Sequence, residues 1–364
     1  MRVEHLEAGV YEVPTQREAG DSIHRSSAFE WIIVTVRTDD GREGTGWSYT
    51  LGEGGAAVKA LIDAQLRHLV VGTEPIDVQA VQQRMRRETH VLGSSGVTLL
   101  AIAAVDIALW DLLGQQVGLP LYQLLGRHRE EIPVYASAMD LNYTVKELVE
   151  EKLAFAEQGF TAFKMKTGFD DVREDLHRIR AVREAIGEDA KLMIDENQKW
   201  AVPDILLRAK AFEGENLAWI EEPLSADDHD GYEQVARTAR LPIAAGETHY
   251  TVQQFKDLLR REAVQVLQPD VCRVGGITDW MKIARLAEAW NLPLAPHFVD
   301  ELHVHLLCAV PNGLLLGYLP VASLNASGMI SNPIEMQDGV AAPPSEPGHG
   351  LRLDWDALSA HRSA

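Results

Sequence analysis

Cysteine is nearly absent: Cys272 and Cys308 are the only two in 364 residues, and neither sits in a paired metal-ligand spacing. A disulfide framework and a thiolate metal site are therefore excluded, and a reducing compartment is expected. Basic residues are also scarce. Against 54 acidic residues stand 34 lysines and arginines, a formal charge of −20, so the field of the whole molecule repels phosphate backbones and nucleic acid is not expected as a partner. The same field repels any carboxylate, so an anionic ligand requires local positive charge from a metal or from lysines. No run reads as the roughly 18 apolar residues of a membrane span, and Met1-Arg2-Val3-Glu4-His5 lacks the apolar core of a signal peptide. The expected location is the cytoplasm, with no membrane partner.

What the chain does have is length and a long regular stretch. With 46% hydrophobic content over 364 residues, it exceeds one ordinary compact domain and suits a barrel of about 250 residues joined to a smaller unit. From residue 132, short apolar runs alternate with amphipathic segments of helical period, the mark of parallel βαβ units. The expected strands are Ile132–Ala138, Ala162–Thr167, Leu192–Glu196, Ala218–Glu222, Ile243–Glu247, Val264–Pro269 and Pro293–His297, with Gly313–Tyr318 closing as an eighth. Between them, Val145–Glu157, Val172–Ile186, Val252–Glu262 and Asp279–Trp290 space their apolar residues as helices do. Together these predict an α/β fold, a TIM-like (β/α)7β barrel over residues 129–320. A doubly wound open sheet has the same periodicity, and the positions of the polar residues separate the two.

Residues 1–128 have a different texture. Trp31–Arg37 and Gly44–Tyr49 flank Asp39-Asp40-Gly41, a hairpin signature. Ala56–Leu69, Val78–Thr89 and Val97–Leu113 read as helices, the last rich in alanine and buried. An α+β domain is expected here. Residues 321–364 are rich in Pro, Gly and Ser and are expected to be irregular chain that returns to the N-terminal domain.

The informative residues fall where the barrel strands end. Lys164 and Lys166 close the second strand, Asp195 the third, Glu221 the fourth and Glu247 the fifth; Asp270 follows the sixth and His297 ends the seventh. In a barrel these strand ends converge on the C-terminal mouth, where catalytic groups of such folds sit, whereas an open sheet would string them along an edge. Asp195, Glu221 and Glu247 would repel one another there unless a cation lay among them, and an all-oxygen ligand set favours Mg²⁺ over Zn²⁺. Asn197, two residues past Asp195, either orients a bound ligand or is an ordinary polar loop residue. Lys164 and Lys166 share one side of a strand, and like charges in a desolvated cleft lower each other's pKa, which makes a usable base near neutral pH. A carboxylate at Asp270 beside His297 fixes the imidazole tautomer and raises its basicity.

The strings Lys164-Met165-Lys166, Met193-Ile194-Asp195-Glu196-Asn197, Trp219-Ile220-Glu221-Glu222-Pro223, Gly246-Glu247-Thr248, Gln268-Pro269-Asp270 and Pro296-His297 resemble, in order and at barrel spacing, the motifs of the mandelate racemase-like branch of the enolase superfamily. The likeness spans nearly the whole chain, since residues 1–128 are similar to that family's capping domain. The resemblance implies Mg²⁺ on Asp195, Glu221 and Glu247, Lys166 as one base, Lys164 neutralising the substrate carboxylate, and the Asp270–His297 dyad as the opposing acid/base. It also implies that the polar segment from Thr15 to Ser27 lies over the barrel mouth as a specificity lid, with Arg17, Asp21, His24 and Arg25 reading the end of the substrate distant from the metal. One departure stands out. Many members carry a glutamate on the eighth strand that hydrogen-bonds the substrate carboxylate, and this chain has Gly317 there; Glu301 and Glu335 are the substitute acids considered.

Bases on both faces permit racemisation or β-elimination of water. A polar lid suits a polyhydroxylated acid better than an aromatic one, because burying polar groups without partners costs about 1–3 kcal/mol each. The leading expectation is a lyase, an acid-sugar dehydratase that turns an aldonate or aldarate into a 2-keto-3-deoxy acid. A racemase, epimerase or cycloisomerase on the same site is the alternative, and a catalytically silent binding barrel a third. The expected partners are a small-molecule carboxylate and further copies of the chain in a homo-oligomer.

Overall fold

The protein is described from a computed structural model over residues 1–363. Three antiparallel strands open the fold in the order β1 (Val3–Gly20), β2 (Arg25–Thr38) and β3 (Glu43–Thr50). The polar segment expected as a loose lid is the far end of the β1–β2 ribbon. Pairing runs from Val3 with Thr38 to Gly20 with Arg25 and shifts register between Pro14 and Ala19; Pro14 has no N–H to give the ladder, so the irregularity falls where the backbone offers least. Only Asp21–His24 turn free of the ribbon.

The sheet packs on helices α1 (Gly55–Leu61), α2 (Arg67–Val70) and above all α4 (Val97–Val117), and α3 (Val78–Thr89) packs on α4. A wider π turn over Ile62–Leu66 joins the first two. Contrary to the sequence expectation, one helix is long and apolar enough to cross a membrane: α4 has a mean hydropathy of 1.9, but 89% of that stretch is buried inside the fold. It also holds two buried acids. Asp106 accepts the backbone N–H and the hydroxyl of Thr278, and Asp111 accepts the N–H groups of Thr45 and His349. These partners lie on β3, in the barrel and in the C-terminal segment, so α4 is the core helix on which the parts of the chain meet.

Past a short turn of helix, α5 (Leu121–Leu124), the barrel strands are β4 (Ile132–Ala136), β5 (Ala162–Lys166), β6 (Lys191–Asp195), β7 (Leu217–Glu221), β8 (Ile243–Ala245), β9 (Val266–Leu267) and β10 (Leu316–Tyr318). They pair in sequence order, and β10 closes on β4 in parallel. The expected strand Pro293–His297 is not a ladder. Leu294 alone bridges Leu267 on one side and Gly313 on the other, because Pro293 and Pro296 have no N–H to contribute. The intervening helices are α6 (Val145–Glu157), α7 (Val172–Ile186), α8 (Val202–Phe212), α9 (His229–Thr238), α10 (Val252–Arg260), α11 (Ile277–Ala289) and α12 (Asp300–Cys308). Reciprocal side-chain and backbone bonds between Thr144 and Glu147, and between Thr251 and Gln254, start α6 and α10. The C-terminal chain adds the hairpin β11 (Met336–Gln337) and β12 (Val340–Ala341) beside β4, then pairs Arg362 with Tyr11 on β1.

The approach of β3 to α4 depends on two glycines. A Cβ on Gly46 would stand 2.3 Å from the Ala104 carbonyl oxygen and 2.4 Å from the Ala108 nitrogen, and one on Gly44 would be 2.6 Å from the Ala108 carbonyl. Backbone atoms cannot swing aside as a side chain does. Replacing Gly46 with Ala is expected to cost roughly 1–3 kcal/mol through overpacking, read as an earlier midpoint of urea unfolding. An unchanged midpoint would mean that β3 can lift off the helix.

Candidate active site

Side chains alternate along a strand, and this alternation builds the site in layers. Tyr135, Ala162, Met193, Trp219, Ala244, Val266, Ala295 and Leu315 form one buried cluster inside the barrel. Two residues further along the same strands stand Lys164, Asp195, Glu221, Gln268 and His297, so an apolar plug is followed by a polar ring. Above the ring opens a cavity of about 410 Å³, lined on its polar side by Lys166, Asn197, Glu247, Arg273 and His297.

Asp195, Glu221 and Glu247 are buried, and each offers an oxygen within 4.8 Å of the others. Glu247 Oε2 has no hydrogen-bond partner among the described residues. An all-carboxylate set with an unpartnered buried oxygen fits Mg²⁺. The two lysines stand in as counter-charges: Lys164 Nζ contacts Glu221 and lies 3.2 Å from Asp195, and Lys166 Nζ lies 2.6 Å from Asp195. Gln268 and the Trp219 indole donate to the second oxygen of Glu221 at 2.7 and 3.1 Å.

The expectation that the lysines depress one another's pKa is not met in this arrangement. Burial opposes the charge of Lys164, yet Glu221, with Tyr135 and Asp195, holds it protonated well above the ordinary range; for Lys166, burial and Lys164 lower the pKa, but Asp195 with Asp21 and Glu247 raises it above the ordinary value. The carboxylates divide. Burial and the neighbouring Asp195 charge push Glu221 up to about 8, while for Asp195 the two lysines overcome burial and hold the carboxyl below its usual range.

Across the cavity, His297 Nδ1 lies 2.8 Å from Asp270 Oδ2, and its Nε2 lies 3.6 Å from Glu247. Burial works to raise the pKa of Asp270, but the bond to His297 and the nearby charges of His297, Arg273 and His303 together outweigh it and bring the pKa to about 2. Its other oxygen accepts the N–H of Cys272 at 2.8 Å, so the carboxylate is fixed from both ends. Sequence reasoning missed the third member of this group. Tyr49, at the end of β3, donates its hydroxyl to Asp270 Oδ2 at 2.6 Å and sits 3.2 Å from His297 Nδ1. Nothing local marks Tyr49, because the contact joins residues 221 positions apart. Arg273, also unassigned from sequence, donates to the Glu247 carbonyl at 3.0 Å.

Asn197 lines the cavity in the left-handed region at φ 45°, and its Oδ1 is buried without a partner among the described residues. The lid is only partly as expected. Asp21, Ile23 and His24 line the cavity, and His24 Nδ1 lies 3.2 Å from Asp21. Arg17 does not reach it: its guanidinium stacks 3.8 Å over Tyr143 and pairs with Glu147 at 3.1 Å. Arg17 falls within the register shift between Pro14 and Ala19, where regular alternation does not hold. Arg25 folds back on the carbonyls of Asp21 and His24. Of the substitute acids, Glu301 is buried on α12 and Glu335 lies in the C-terminal segment; neither lines the cavity.

Residues 7–126 match the family described as the mandelate racemase / muconate lactonizing enzyme N-terminal domain, and residues 146–357 match the enolase C-terminal domain-like family. The chain is 36% identical to a 3,6-anhydro-alpha-L-galactonate cycloisomerase of Streptomyces coelicolor over 98% of both chains. It is 37% identical to an L-talarate/galactarate dehydratase of Salmonella typhimurium, over 77% of this chain and 70% of that one. The crystal structure of a racemase from Streptomyces coelicolor with bound magnesium superposes with a TM-score of 0.96 at 36% identity, covering 99% of this chain and 100% of that one. Two matched domains in the right order, a ladder of strand-end acids and a magnesium-bearing structural neighbour agree: the chain belongs to the enolase superfamily, in its mandelate racemase/muconate lactonizing enzyme-like group.

Proposed function

We propose that this protein eliminates the oxygen from C3 of a hydroxylated monocarboxylate, and that the reaction is dehydration of an aldonate to a 2-keto-3-deoxy acid. The observation that carries this reading is the placing of two proton-moving groups, Lys166 and the Asp270-supported His297, on the same cavity with Glu247 between them. When bound, Mg²⁺ on Asp195, Glu221 and Glu247 would supply the positive charge that stabilises a developing ene-diolate. Lys164 would add a second charge beside the substrate carboxylate. Lys166 would take the proton from C2, which requires that Asp195 no longer serve as its counter-ion. The electron pair left on C2 forms the double bond of the ene-diolate and then expels the C3 oxygen, to which His297 delivers a proton from Nε2. Asp270 keeps Nδ1–H engaged and so leaves Nε2 facing the cavity. Tautomerisation of the resulting enol gives the 2-keto acid.

The lid supports a monoacid over a diacid. With Arg17 and Arg25 turned away, a distal carboxylate would meet Asp21 and Glu222 in the cavity wall, and the arginine that does line it, Arg273, is already engaged by Glu247. The wall also carries Ile23, Leu51, Leu100, Met139 and Leu319. That apolar face favours a second reading, in which the C3 oxygen is a ring ether. Its loss follows the same steps, releases no water and makes the reaction a cycloisomerisation of an anhydro-sugar acid.

Three measurements test the reading. Glu221→Gln, or EDTA treatment of the native protein, is expected to abolish turnover with the fold intact by circular dichroism; full activity in either case would remove the metal from the mechanism. In an acid-sugar screen with semicarbazide trapping, the best monoacid should exceed its matching diacid in kcat/KM by about tenfold or more, on the order of one charge-assisted contact. Products that are only epimers, with no keto acid trapped, would replace elimination by racemisation. Tyr49→Phe removes one hydrogen bond to the dyad and is expected to lower kcat/KM by about three- to tenfold. A change in KM alone would show that Tyr49 shapes the cavity and does not support His297.

A further inference from the structure

The eighth strand leaves a gap in the polar ring. Counting two residues on from the members of the interior cluster gives Ser137, Lys164, Asp195, Glu221, Gln268 and His297; on β8 the step from Ala244 reaches Gly246, beside which Glu247 supplies the side chain, and on β10 the step from Leu315 reaches Gly317, which has no side chain to offer. The space is filled from the neighbouring strand. Gly317 pairs in register with Tyr135 on β4, and a Cβ built on Gly317 would lie 2.6 Å from the Tyr135 hydroxyl oxygen and 2.8 Å from Cζ. The phenol therefore occupies the volume that any side chain at position 317 would require. Tyr135 starts in the apolar layer but reaches upward into the ring.

Its ring belongs to the buried interior cluster, while charged groups of the polar ring lie beside it. Lys164 Nζ lies 5.6 Å from the ring centroid, and the Trp219 ring meets it edge-on at 6.0 Å. After burial, the charges that act on the phenol are Lys164, Glu221, Asp195 and Glu247, and the net effect keeps the O–H protonated. A protonated phenol can donate to a carboxylate at any pH at which the protein is folded and active. Tyr135 is 1% exposed and Lys164 4%, so both groups are buried.

The geometry points to Tyr135 as a carboxylate-binding residue, its O–H donating to the substrate carboxylate beside Lys164 from the position that Gly317 leaves open. This assignment rests on the proposed reading only in that the ligand is a carboxylate. Two neutral-to-cationic donors on adjacent strands then face the anion, which lets an acidic protein hold an anionic ligand without an acid on the eighth strand. It also gives Gly317 a steric purpose, since any larger residue displaces the phenol.

The test uses the full-length, Mg²⁺-loaded protein and glycolate, a 2-hydroxycarboxylate with no C3 oxygen to lose, titrated calorimetrically. Tyr135→Phe keeps the ring and removes only the hydroxyl, and is expected to weaken glycolate binding by about ten- to a hundredfold at unchanged Mg²⁺ affinity. Gly317→Ala, which keeps the hydroxyl but expels it from its place, should weaken glycolate in the same direction. Native-like glycolate affinity in Tyr135→Phe would overturn the assignment, and so would a parallel fall in Mg²⁺ affinity, which would make Tyr135 a support of the acidic triad. Because glycolate is not consumed, the result is legible even if no acid sugar is ever eliminated.

Discussion

Three buried carboxylates held within 4.8 Å in the barrel mouth set the terms for everything around them. At an effective interior dielectric of about 20, two unit charges 4 Å apart already interact by roughly 4 kcal/mol. A triad without counter-charge would pull the mouth open. The chain answers with lysines on the adjacent strand, with Gln268 and the Trp219 indole as neutral donors, and with an unequal distribution of charge that leaves Asp195 ionised and raises Glu221. The overall charge of −20 makes this local balance matter more, because no help comes from the rest of the molecule. The cations beside the triad, Lys164, Lys166 and Arg273, are all paired with its carboxylates.

The capping domain enters this arrangement through a few specific contacts. Gly44 and Gly46 let β3 lie directly on α4, and this docking carries Tyr49, at the other end of the same strand, to Asp270. On the opposite face of the helix Asp106 accepts two bonds from Thr278, whose hydroxyl is in turn within 2.9 Å of the Trp110 indole. Cys272, two residues from Asp270, places its Sγ 3.4 Å from the Trp47 carbonyl. The same few residues that hold cap to barrel therefore also hold the dyad in shape.

Much of this was legible in the sequence, and the exceptions have physical causes. The helix bounds Val78–Thr89, Val145–Glu157 and Val172–Ile186 were legible from the spacing of their apolar and charged residues. Strand-end acids were legible because a barrel brings every strand end to one rim. The seventh strand failed as a ladder because its two prolines have no N–H to donate, which the sequence contained but the apolar pattern hid. Arg17 was misread because composition shows that a segment is polar without showing which way a ribbon turns each side chain. Tyr49 and Tyr135 were invisible for a different reason. One acts across a domain junction, and the other acts through a register pairing with a glycine, and neither relation leaves a local trace.

The contact between Tyr49 and Asp270 also bears on how molecules enter and leave. A cap anchored at Tyr49, Asp106 and Trp47 cannot rock away from the barrel as a rigid body during each cycle without disconnecting the imidazole's support. The four-residue tip from Asp21 to His24 is the part of the cavity wall that the ribbon leaves unladdered. Such an enzyme would gate its chamber by flexing a fingertip, with the palm fixed, and its rate of product escape would respond to stiffening of that tip long before it responded to the strength of the joint between the two domains.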